Sequence, residues 1–136
     1  MKKQEIVGIH RFLSGIKLNK LTDRTTRNNL ISLHLKLHKA CKDIDADIEE
    51  MRNKIFEGYE EQLREVIGVN DDSKIPAELK PLFKDFNEHY AALMGEDVTI
   101  ELTAISQDAF LDAMQEQGTD FSMADLIEFQ RIGIIN

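Results

Sequence analysis

His34-Leu-Lys-Leu-His38 sets two imidazoles four residues apart, and Cys41 and Asp45 continue along the same helical face. Imidazole and thiolate are zinc ligands, so His34, His38 and Cys41 are the set whose types and spacing suit a metal. The glutamate that follows the first histidine of a metalloprotease helix is missing, and Leu35 stands in its place. The same positions flank an apolar stripe, where half-buried packing accounts for them without any ligand. The pattern favours packing, and no metal or cofactor is expected.

Asp43-Ile-Asp-Ala-Asp47 opens like a calcium-binding loop. Such a loop needs glycine at its sixth position and a bidentate glutamate at its twelfth, and here Ile48 and Lys54 stand there. It reads instead as a solvated helix face with Ile44 and Ile48 turned inward. Asp85 and His89 are another pair four apart, with Glu88 adjacent, but a general base needs a nucleophile or a held water that the pattern does not supply. No glycine-rich phosphate loop follows a strand, and no Gly-x-Ser-x-Gly turn occurs. A non-enzymatic protein is expected.

Charge is unevenly spread. The net charge is -8, yet residues 1–42 carry ten Lys/Arg against two acids, and residues 43–136 carry seven against 23. Lys17, Lys20, Arg24, Arg27, Lys36, Lys39 and Lys42 could follow a nucleic-acid backbone. They lack interleaved aromatics for base stacking, and no DNA-reading motif accompanies them. A basic third lying against the acidic remainder, in this chain or another, is the favoured reading.

These residues must be positioned by helices. Asp23 to Ile67 reads as one very long amphipathic helix, which at 1.5 Å per residue would run roughly 67 Å. Leu30, Leu37, Ile44 and Met51 fall seven apart, while Cys41, Ile48 and Ile55 interleave, giving a seam for a partner. Thr22 or Asp23 is placed to cap it, and Gly58 could bend or stop it near Phe56 to Tyr59, although the spacing of Leu63, Val66 and Ile67 predicts continuation to about Gly68. Before it, residues 3–16 form a short helix with Ile6, Ile9, Leu13 and Ile16 at three-four spacing. After it, Gly68–Lys74 is a loop rich in turn formers. Pro76 opens a third helix over about 77–94, ending at Gly95. Val98-Thr-Ile-Glu-Leu-Thr-Ala104 alternates as a strand, to be paired by the chain start, by Ile132-Gly-Ile-Ile135 or by another copy. Two short helices finish the chain. One is capped by Ser106, and the other opens on a capping box at Ser122 and Asp125.

The fold expected is therefore mainly α with a minor β element. A long antiparallel helical hairpin (about 23–67 and 77–94) carries a short N-terminal helix, one strand at 98–104 and two C-terminal helices, as a single domain over 1–136. No apolar run suits a membrane span. Gly8, His10 and Arg11 interrupt any signal-peptide core, and one cysteine fits a reducing cytoplasm.

The order of segments resembles a family of small phage and prophage proteins of unknown function. The matching residues are Leu30, Leu33, Leu37, Ile44, Ile48 and Ile55, then Val98-Thr-Ile100, then Ser122-Met-Ala-Asp-Leu126, with Gly58-Tyr59 in the reverse of that family's Tyr-Gly order. The resemblance implies a phage-like context, with other phage-type proteins as partners, and no catalytic residues. Coverage of the rod implies an interaction or assembly protein that self-associates through Leu30, Leu37, Ile44, Ile48, Met51 and Ile55. An antiparallel dimer would lay the basic half of the rod on the acidic half. A nucleic-acid-binding accessory protein using residues 17–42 is the alternative.

Overall fold

A computed structural model describes residues 1–68 and 72–136. Six α-helices dominate the described residues: α1 (Lys3–Ser14), α2 (Arg24–Ile55), α3 (Glu60–Val66), α4 (Lys80–Met94), α5 (Gln107–Glu116) and α6 (Met123–Ile132). The chain groups into two compact units, Met1–Cys41 with Asp97–Asn136, and Lys42–Glu96. Among the described residues no helix is long and apolar enough to cross a membrane.

The first unit holds α1, the front of α2, α5 and α6. Ile6, Ile9 and Leu13 of α1, Leu30, Leu33 and Leu37 of α2, and Phe110, Met114, Leu126 and Phe129 behind them are all buried. Phe110, Phe121 and Phe129 meet edge-on or tilted with centroids 4.9–5.6 Å apart, and Phe12 joins them from α1. Such pairs hold a core beyond the area they bury. Asp23 caps α2, taking the Thr26 amide at 2.9 Å and its hydroxyl at 2.6 Å, which satisfies a threonine that is otherwise buried. Ser106 and Ser122 cap α5 and α6 by accepting from Ala109 and Asp125 amides, and Asp125 completes its box by accepting from the Ser122 amide. Gly133 ends α6 at φ +98, where its amide and that of Ile134 both reach the Phe129 carbonyl.

The expected strand at 98–104 does not form. Among the described residues its backbone is bridged only at its ends, by an antiparallel bridge between Lys2 and Asp97 and a parallel bridge between Ile105 and Ile135, and between them the Lys36 ammonium holds the Glu101 carbonyl. Of the three partners foreseen from the sequence, the two within the chain are met, the chain start at Lys2 and the 132–135 segment at Ile135. Each is too short to run a ladder along the segment, so it stays extended and unzipped. Val98, Ile100 and Leu102 are half-buried and Ala104 is exposed.

The second unit corrects the long rod. α2 stops at Ile55, and the chain turns through Phe56–Tyr59 before α3 begins. Gly58 takes φ +85, a conformation that glycine alone enters cheaply. Phe56, whose amide still bonds back to the Arg52 carbonyl at 3.0 Å, is buried against Phe83 at 5.0 Å and Phe86 at 6.2 Å where the helix ends. The third helix also starts later than expected, at Lys80 rather than about 77. A helix begun at Ala77 would need the Pro81 amide to bond back to Ala77, and proline has none. Pro76 instead makes a separate turn closed by the Leu79 amide at 3.0 Å, and the first helical bond runs from Phe83 to Leu79. The loop expected over Gly68–Lys74 falls partly on residues 69–71, outside the described residues.

Candidate functional site

His34 and His38 lie on the flank of α2 that meets α1, and α1 adds a third imidazole, His10. The His10 and His34 rings stack at 4.9 Å with planes 2° apart, and His10 and His38 lie at 5.4 Å and 30°. His38 Nδ1 is 3.4 Å from His10 Nε2. Ser14 Oγ donates its single proton to the His10 carbonyl at 2.7 Å, so at 3.1 Å from His34 Nε2 it can only accept. That arrangement suits the tautomer of His34 with its proton on Nε2. Burial pushes the His34 pKa below its ordinary value, and the neighbouring His10 and His38 imidazoles push the same way.

Near-parallel rings send their in-plane lone pairs side by side rather than towards one centre. Among the described residues no group of three or more His, Cys, Asp or Glu is arranged to hold a metal ion. Of the three candidate ligands, His34 and His38 are brought together with His10, and Cys41 is half-buried one turn further on. His10 was invisible as a partner in the sequence. Its place beside Ile9 and Leu13 marks the flank of a helix, but nothing local says which helix that flank meets.

The basic set is dispersed. Lys17 and Lys20 sit around a short turn before α2. Arg27 Nη1 lies 3.4 Å from the Leu21 carbonyl, and Lys36 Nζ donates to the Glu101 carbonyl at 2.9 Å. Arg24, Lys39 and Lys42 remain exposed. The first unit carries ten Lys/Arg and ten Asp/Glu, because the acids of 97–136 return to balance the basic N-terminal segment. Arg131 spans Glu5 at 2.6 Å and Glu128 at 2.8 Å within it. The second unit, with seven basic and fifteen acidic residues, carries the whole net charge of -8.

The seam is divided in the same way. Leu30, Leu37 and Ile44 are buried by the chain itself. Ile48, Met51 and Ile55 are only half-buried, as are Leu82, Phe83, Phe86 and Leu93 of α4. Met51 and Ile55 line an open groove of about 380 Å³ with Asp85 and His89 of α4, rimmed by Asp47, Glu50 and Lys54. On the other side of α4, Ile75, Phe83 and Ala91 floor a groove of about 590 Å³ rimmed by Lys80, Lys84 and Glu88. Comparison with protein families, curated proteins and solved structures finds no match for this chain.

Proposed function

We propose that this is a non-enzymatic interaction and assembly protein of phage-like origin, which engages a partner chain through the open apolar stripe of its Lys42–Glu96 unit. The phage-like context rests on the order of segments alone. The observation that carries the docking role is the contrast along α2. Leu30, Leu37 and Ile44 are covered, whereas Ile48, Met51 and Ile55 stay half-open beside an equally open face of α4. A row of partly exposed large apolar side chains bordered by a second such face suits contact with another molecule. A second copy of this chain is one such molecule. Self-association then runs through Ile48, Met51 and Ile55 and not through the whole seam.

Docking residues and folding residues differ in what their loss costs. Met51→Gln with Ile55→Gln should lower unfolding free energy by about 1 kcal/mol per site, since these side chains are only partly buried. Leu37→Gln, at a covered position, should cost several-fold more. Urea unfolding of both variants checks this. A loss at 51 and 55 as large as at 37 would make the stripe part of the folding core and remove the proposal.

A further inference from the structure

Resting on that reading, we propose that the groove between α2 and α4 receives a cationic amphipathic helix from another protein. Its floor is apolar, formed by Met51 and Ile55. Its rim carries Asp47, Glu50 and Asp85 against the single lysine Lys54. Glu50 also borders the adjoining hollow on α2, where Glu49 and Glu57 add two further acids. Lys54 sits 3.5 Å from Glu50 and His89 sits 3.0 Å from Asp85, so the two cationic candidates on this side are already turned to acids. An apolar floor between carboxylates selects a helix with leucine-like residues on one face and lysine or arginine beside them.

Charge also decides against the simplest competitor. A second Lys42–Glu96 unit brings the same excess of eight acids, so it approaches against repulsion. The larger groove on the far side of α4 has a rim of Lys80, Lys84 and Glu88, near neutrality, and selects no occupant by charge. The lining runs from Asp47 to Ile55 along α2, about 12 Å, so the groove engages two to three turns of the partner helix.

The test uses the full chain and two fluorescein-labelled amphipathic peptides of about 15 residues, one of leucine and lysine, the other of leucine and glutamate in the same pattern. The lysine peptide should bind, and the glutamate peptide should bind at least about tenfold more weakly. Met51→Glu with Ile55→Glu separates docking from mere attraction to an acidic surface. It adds negative charge, so non-specific attraction would strengthen, whereas groove docking should weaken at least about tenfold. Met123→Glu on the first unit, where Met123 is 70% exposed, should leave binding unchanged. Equal affinity for the two peptides, or tighter binding to the Met51→Glu/Ile55→Glu chain, overturns the proposal. If the glutamine variants of 51 and 55 fold normally while neither peptide binds, the stripe survives as a docking surface and only the cationic partner is lost.

Discussion

At the residue scale, the three-histidine stack is the most constrained chemistry in the chain. Only the other two imidazoles act electrostatically on His34, and no carboxylate among the described residues offsets them. Its folded pKa is depressed, so the unfolded chain binds the proton more readily. Stability from this group is fully present above the ordinary histidine value of 6.5 and is lost as pH falls below it towards the folded pKa. Proton NMR titration should show the His34 ring titrating below 6.5, and His10→Gln should move it back up by removing a like-charged neighbour. A titration unmoved by His10→Gln would mean that burial and His38 set it without His10. The spacing of His34 and His38 was legible in the sequence because helical period makes i and i+4 neighbours. The stack was not, because His10 reaches it from a helix whose docking angle no local pattern encodes. Cys41, read as the third member, lies one turn along the same face, and the third imidazole comes instead from α1.

At the element scale, the decisive residue is Gly58. A heptad-like stripe argues for continuation from α2 into α3, and both halves do keep helical spacing. The chain nevertheless breaks there, because burying Phe56 against Phe83 and Phe86 outweighs one more turn of rod, and glycine at φ +85 makes the turn cheap. Gly58→Ala should destabilise the protein by about 1 kcal/mol, the ordinary cost of a Cβ in a left-handed backbone, with no gain in helical circular dichroism. If a continuous rod were the better state, the alanine would instead stabilise the protein and raise its helicity. The failure of the 98–104 strand has a related cause. Alternation records which side chains face inward, and Val98, Ile100 and Leu102 do turn partly inward. A strand also needs a neighbour long enough to pair its backbone, and here each end meets only a stub.

At the scale of the whole molecule, the sequence-level charge asymmetry is rearranged by the fold. The N-terminal basic segment and the acidic C-terminal segment close on each other into a neutral unit, and the excess of eight acids is left on Lys42–Glu96. An antiparallel dimer that lays basic on acidic halves of α2 would weaken as salt rises. Since Leu30 and Leu37 are already covered, self-association through the stripe of α2 is left Ile48, Met51 and Ile55, where like charges meet. Sedimentation equilibrium should therefore show dimer formation strengthening from about 0.05 to about 0.5 M salt, as the screening length drops below 10 Å. Weakening over that range would restore the antiparallel arrangement.

What this sequence determined by itself is what local physics decides. Periodicity placed the N-terminal helix, most of α2 and α4 and the two C-terminal helices, though not the break that separates α3, side-chain oxygens placed the caps at Ser106 and Ser122 and narrowed that of α2 to Thr22 or Asp23, and composition made a helical protein without a membrane span among its described helices. Only the tertiary structure decided which apolar residues remain open, which histidines meet and where the net charge resides. Those depend on pairings between segments as distant as Met1 and Val98 or Glu5 and Arg131, and contacts of that range leave no period in the chain.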